Sequence, residues 1–343
     1  MHPHYAVPAL PLGSLPPVAQ PGAQAGAKQA AAKVARRALT WGAQQLPVRR
    51  RLDQLATSLT LLLDQTAPDG MYGGSYFGDG RNPEDRMGLS GYASYDRVSS
   101  MANRAAFIEW SLFQECRSLD VGCALGFVVE ALREAGFDAW GMDYSEWAVR
   151  HSTKGARGRL RQGSLLEPLP YADGEFGLVT AMETLEHLPP EAIPGVLVEL
   201  RRICSGFLYL TIPSFGPNRC GLDGWFSGKV APERLGYYDS LPADYDGPVP
   251  FEDLMRDAHG QPIEGHLTIA SFNWWEEQAK ATGFERAPEV EARVYPLLER
   301  VGQTGWWCPY VFRVPGTPLP PAALRGTEAT EELARKWQVA RPG

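Results

Sequence analysis

The residues best suited to chemistry lie in "AMETLEHLPP", 181–190. There Glu183, Glu186 and His187 fall within five positions, directly after the apolar run "FGLVTAM". Two carboxylates and an imidazole held together can take a proton from an acceptor or gather round a divalent cation, and either act makes a hydroxyl a better nucleophile. Two further stretches have the composition of a binding site. In "LDVGCALGF", 119–127, the small residues Gly122, Ala124 and Gly126 let the backbone turn sharply and approach a ligand closely, with Asp120 just ahead of the turn. In "GMDYS", 141–145, Asp143 can accept two hydrogen bonds from a ribose diol.

Such groups act only where a scaffold sets them side by side. From Arg117 onward, strand-like apolar runs alternate with amphipathic helical ones. The expected strands are "SLDVG", "AWGMDY", "RLRQGS", "GLVTAM", "FLYLTI", "VEARVY" and "YVFRV". The expected helices are "FVVEALREAG", "SEWAVRHS", "EAIPGVLVELRRIC" and "FNWWEEQAKATG". Repeated βα units imply a largely parallel sheet covered on both faces, which binds ligands at the carboxyl ends of its strands. All three stretches fall at such ends. Residues 1–26, rich in Pro, Ala and Gly, are expected to be a disordered arm. Residues 27–110 read as a helical N-terminal extension interrupted by a Gly/Tyr-rich loop at 69–96. Residues 216–265 break the βα rhythm and read as a substrate lid, and 316–343 as a C-terminal tail.

The bulk composition narrows the function classes. With 343 residues, 44% hydrophobic and 21% charged, the chain reads as an ordinary globular protein. Residues 1–52 hold seven Lys/Arg and no Asp or Glu; removing that +7 from the total of −7 leaves −14 on the remainder. So acidic a body is a poor nucleic-acid binder, whereas the basic arm suits an anionic membrane or a partner protein. No apolar run approaches a membrane span, no secretory signal is visible, and five scattered cysteines without a CxxC suit reduced thiols. A cytoplasmic protein is expected.

An acid at the end of a second strand is shared by dinucleotide and S-adenosylmethionine sites. The pattern DxGxxxG, with Asp120 where a pyrophosphate would be repelled, disfavours nicotinamide and suits a cationic amino-acid tail. In order, "LDVGCALG", "GMDYS", "GSLLEPLPYADGEFGLVTAMETLEHL" and "FLYLTIPS" resemble successive motifs of class I S-adenosylmethionine-dependent methyltransferases, across about residues 110–315. The segment "YGGSYFGDG…GYASYD" resembles the region before the core in methyltransferases of bacterial polysaccharide and secondary-metabolite clusters. The resemblance implies a Rossmann-like α/β fold at 111–315: a mostly parallel seven-stranded sheet with helices on both faces. By it, Asp120 helps to seat S-adenosylmethionine, and Gly122, Cys123 and Gly126 line its methionine part. Asp143 holds the ribose, Tyr144 packs on the adenine, Ser164 and Leu165 border it, and Met182 sits near the ribose and sulfur. Two positions depart from the family: Ala124 for glycine, expected to be a tolerated swap, and Ser164 for an aspartate, which weakens a contact to the adenine amino group.

The ExxEH pattern resembles that of small-RNA 2′-O-methyltransferases and ubiquinone-pathway O-methyltransferases. In those families a further downstream histidine completes a metal site, and His266 stands in the matching place. Glu183 and Glu186–His187 stand one turn apart, so all three can converge, and their oxygen-rich ligation favours Mg²⁺, Mn²⁺ or Fe²⁺ over zinc. With His266 as fourth ligand the implied metal set is Glu183, Glu186, His187 and His266. The alternative is metal-free catalysis by His187 as general base, beside Glu186. Both stay open. The expected function is O-methylation of a hydroxyl on a small molecule, a sugar or glycan, or a secondary metabolite. Metal-independent C- or N-methylation, and a non-catalytic cofactor-binding partner of a biosynthetic enzyme, are the alternatives. Tyr92 and Tyr95 suit closure over the cofactor or a subunit contact, which leaves a homodimer open.

Overall fold

A computed structural model describes residues 72, 96–98, 100–215, 245–254, 256, 262, 265–303 and 308–339, all within the unit Thr60–Gly343. The expected arm at 1–26, Tyr92, Tyr95 and nearly all of the extension before residue 96 lie outside these residues, as do 216–244 of the expected lid.

The strands are β1 (Arg117–Val121), β2 (Asp138–Asp143), β3 (Leu160–Gln162), β4 (Phe176–Met182), β5 (Cys204–Thr211), β6 (Ser214–Phe215), β7 (Ala270–Ser271), β8 (Glu285–Arg286) and β9 (Pro309–Arg313). Seven of them form one sheet in the order β3-β2-β1-β4-β5-β9-β8. The first five are parallel neighbours, and β9 runs antiparallel to both β5 and β8. A short parallel pair, β6 and β7, stands apart. The central strands β4 and β5 read as nearly unbroken apolar runs because both sheet faces are covered, and in β1 even the polar Ser118 and Asp120 are buried. The Rossmann-like class expected from the sequence is therefore the observed one.

The helices are α1 (Ala102–Leu112), α2 (Phe127–Glu134), α3 (Glu146–Arg150), α4 (Ile193–Ile203), α5 (Phe272–Ala281), α6 (Pro288–Val301) and α7 (Thr327–Lys336). In α4 the buried positions Ile193, Val196, Leu197, Leu200 and Ile203 repeat at helical spacing and pack with Val179, Leu208 and Leu210 in one core layer. On the opposite face α1, α2 and α6 cover Leu178, Phe207, Tyr209 and Val311. No helix among the described residues is long and apolar enough to cross a membrane.

One expected strand is not formed. "VEARVY", 290–295, lies inside α6, whose buried Val290, Val294, Leu298 and Val301 mark a helical face. The alternation of Val290, Ala292 and Val294 mimics a strand because two of them also stand four apart. Pro288 opens the helix at its first turn, where a missing N–H costs little. The sixth strand of the main sheet is instead the two-residue β8. Within 316–343, α7 ends beside the buried Trp337, whose carbonyl accepts from Asn103 Nδ2 at 2.8 Å.

Candidate active site

The turn after β1 is the first half of the site. Gly122 (φ +77°) and Gly126 (φ +79°) both take the left-handed conformation that glycine adopts freely. A Cβ on Gly122 would stand 2.3 Å from Thr184 Oγ1, and one on Gly126 2.7 Å from Ala156 Cβ, so neither position has room for a side chain. Ala124 is also left-handed, at φ +49°. The alanine-for-glycine swap is thus not neutral: its Cβ costs about 1–2 kcal/mol there. Part of the offset is a hydrogen bond from Ala124 N–H to Asp143 Oδ2 at 2.7 Å, matched by Ser145 N–H to Asp143 Oδ1 at 2.8 Å.

Asp143 is half-buried at the end of β2. Desolvation raises its carboxyl, against the two amides that favour the charged form. Asp120, 6% exposed, accepts from Thr180 Oγ1 at 3.2 Å. Burial pushes its carboxyl up to about 7, opposed by the Thr180 bond and assisted by the charge of Asp143. Cys123 is buried, and burial raises its thiol well above the ordinary range, with Asp143 and Asp120 adding to the effect. Tyr144 is half-buried after β2. In the loop after β3, Ser164 Oγ accepts from Leu166 N–H at 3.1 Å, a local turn, and Leu165 packs on the core. Met182 closes β4 and packs against the opposite core layer.

The second half follows β4. Glu183 is left-handed (φ +48°), and its N–H donates to the Thr211 carbonyl at 2.9 Å. Leu185–His187 then form a single 3-10 turn in which Glu186 is fully buried. The Glu186 carbonyl accepts from Leu267 N–H at 2.7 Å and Thr268 N–H at 2.9 Å, and Thr268 Oγ1 donates to the Leu188 carbonyl at 2.6 Å. These bonds clamp the His266 segment onto the turn. His187 and His266 meet edge to face at 5.0 Å, and His266 Nε2 lies 3.9 Å from Glu186 Oε1. One ligand atom each of Glu186, His187 and His266 lies within 4.8 Å of the others.

Glu183 stands outside that set. Convergence of Glu183 with Glu186 and His187 presumed one regular helical turn; the left-handed residue breaks that geometry. What remains is two imidazoles and one carboxylate, a nitrogen-rich donor set rather than the oxygen-rich one expected.

Three contributors were not anticipated. Thr184 packs against Gly122 and lies 2.9 Å and 3.3 Å from the Met182 and Val121 carbonyls, joining the ends of β4 and β1. Glu109 of α1 is fully buried, and neither carboxylate oxygen has a hydrogen-bond partner among the described residues. Burial, then the charge of Asp120, raises its carboxyl well above the usual range. The only hint in the sequence is an acid set between the apolar Ile108 and Trp110. Tyr72 places its hydroxyl 3.3 Å from His187 Nδ1; it opens the stretch "YGGSYFGDG", whose resemblance assigned this residue no role.

A sheet in this order, with a tight glycine turn after β1 and an anchored acid after β2, is a Rossmann-like methyltransferase fold. Residues 119–207 match the family model described as a methyltransferase domain. Among curated proteins the chain is similar to ubiquinone biosynthesis O-methyltransferases. That of Methylococcus capsulatus is 42% identical over 81 residues, 22% of this chain and 34% of that one. That of Idiomarina loihiensis is 30% identical over 123 residues, 34% of this chain and 48% of that one. The chain thus spans about a third to a half of the length of these relatives. Among solved structures, magnesium protoporphyrin IX methyltransferase from Synechocystis PCC 6803, with bound SAH, aligns at a TM-score of 0.40 and 14% identity, covering 75% of this chain and 97% of that one.

Proposed function

We propose that the chain is an S-adenosylmethionine-dependent O-methyltransferase whose acceptor is a hydroxyl of a small molecule, a sugar or a secondary metabolite. The observation that carries this reading is the gathering of Glu186, His187 and His266 after β4, the strand adjacent to the one bearing the glycine turn. The methyltransferase-domain match and the partial similarity to O-methyltransferases support it.

The residues present fit the cofactor. Gly122 and Gly126 keep the turn tight through left-handed backbone, and Asp143 is held by two amides while each oxygen keeps a further lone pair for a ribose diol. When bound, S-adenosylmethionine supplies a methyl group on a cationic sulfur, open to in-line displacement by oxygen. The Gly122–Gly126 backbone would line its methionine part, Asp120 would face the amino-acid tail, and Tyr144, Ser164, Leu165 and Met182 would border the nucleoside.

His187 is arranged to receive the acceptor's proton. Its Nδ1 lies 3.3 Å from the Gly265 carbonyl, which can only accept, so Nδ1 bears the ring hydrogen and Nε2 keeps the lone pair. The acceptor hydroxyl gives its proton to Nε2 as the oxygen attacks. The same tautomer suits a metal, and the nearby histidine and glutamate favour that reading too. Two imidazoles and one carboxylate suit Mn²⁺ or Fe²⁺ better than Mg²⁺, which prefers oxygen donors and its own water.

The test is calorimetric titration of Mn²⁺ into EDTA-stripped protein saturated with S-adenosylhomocysteine, with Glu186→Ala as control. Saturable one-to-one binding lost in the control favours metal-assisted O-methylation; no binding leaves His187 as the leading base. Failure both to bind S-adenosylhomocysteine and to methylate any hydroxyl in an acceptor panel would overturn the proposal.

A further inference from the structure

Tyr72 touches both halves of the site. Its backbone carbonyl accepts from Ser145 Oγ at 2.6 Å, and Ser145 N–H holds Asp143 Oδ1. Ser145 also caps α3, accepting from Ala148 N–H at 3.0 Å. The phenol ring packs in a small cluster with Ala124, Leu125 and Ala148, over the glycine turn. At its far end the hydroxyl reaches His187 Nδ1, with the two rings edge to face at 6.0 Å. A continuous chain of contacts therefore runs from Asp143 through Ser145 and Tyr72 to His187, Gly265 and His266.

Resting on the functional reading above, we infer that Tyr72 is a positioning residue: its ring closes over the glycine turn that receives the cofactor, and its hydroxyl fixes the His187 imidazole. The hydroxyl accepts from Nδ1–H alongside the Gly265 carbonyl, so two acceptors hold one ring hydrogen. That arrangement restricts rotation of the imidazole about its own axis and keeps Nε2 aimed at one place. Apolar contact through the ring and a polar contact through the hydroxyl are separable functions of a tyrosine. Phenylalanine retains the first and loses the second; alanine loses both.

Two readouts separate these functions from a general packing role. Turnover is followed with labelled S-adenosylmethionine and a methylatable hydroxyl, and S-adenosylhomocysteine dissociation by stopped flow. Tyr72→Phe is expected to lower kcat by about threefold to tenfold, the worth of one neutral hydrogen bond, while KM for the cofactor and the dissociation rate stay within about twofold of wild type. Tyr72→Ala is expected to lower kcat at least as far and to speed dissociation by about tenfold or more. Restoration of slow dissociation by phenylalanine, without restoration of kcat, is the signature of the inferred role. Unchanged kcat in Tyr72→Phe, or dissociation unchanged in Tyr72→Ala, would overturn it. The dissociation arm stands even if no hydroxyl is methylated, so failure of the O-methyl reading and failure of the cover over the turn are told apart. A circular-dichroism melt of each variant excludes loss of fold as the cause.

Discussion

Replacing Asp120 with asparagine should stabilise the protein and weaken its ligand binding, both in a pH-dependent way. The Asp120 carboxyl is pushed from an ordinary 3.8 up to about 7, chiefly by burial. In the unfolded chain it loses its proton near 3.8. Between there and about 7 the native state therefore holds a proton that the unfolded state has released. Because the folded value is the higher one, the stability this group contributes is complete below 3.8 and is lost as pH rises through about 7. At about 1.36 kcal/mol per pH unit, the change amounts to about 4 kcal/mol. Asparagine does not titrate. The stability of Asp120→Asn minus that of wild type should accordingly rise by about 4 kcal/mol from pH 4 to pH 8, as read from urea unfolding at several pH values. A difference that stays flat would refute the argument. The ligand should show the complementary trend: S-adenosylhomocysteine binding to wild type should tighten by up to about tenfold per pH unit below 7 and level off above, as the ionised carboxylate meets the cationic tail. Asp120→Asn should bind more weakly above pH 7 and lack that dependence.

Two further changes test other parts of the structure. Ala124→Gly, which relieves a left-handed alanine, should raise the stability measured in urea by about 1 kcal/mol, less the greater freedom of glycine in the unfolded chain. Trp337→Ala empties a fully buried site at the end of α7 and should cost about 3–5 kcal/mol, lowering the melting temperature without altering S-adenosylhomocysteine affinity measured below the melt.

The parallel core was legible because β4 and β5, covered on both faces, read as apolar runs, and because β1, β2 and β4 lead into helices. The edge was not legible. β8 has only two residues, too few for a period, while α6 offered a false one at Val290 and Val294. The sequence singles out Asp120, Asp143, Glu186 and His187 of the candidate site, where polar residues stand in or just after strands. Tyr72 was not, since its contact with His187 joins residues 115 apart and leaves no spacing to count. The backbone state of Ala124 was hidden for a different reason: residue size is written in the sequence, φ is not.

The same distinction explains Glu183, and there the miss is instructive. A count of positions through ExxEH treats the chain as a helix and delivers both glutamates to one point. The chain instead leaves β4 through a left-handed non-glycine residue, a conformation that costs about 1–3 kcal/mol and persists only where its surroundings hold it. The Thr211 carbonyl does part of the holding by taking the Glu183 N–H. In the turn that follows, Glu186 is buried and its carbonyl accepts from Leu267 and Thr268 N–H. The bend that leaves Glu183 outside the cluster precedes the carbonyl that holds the His266 segment, and the residues gathered there are two imidazoles and one carboxylate.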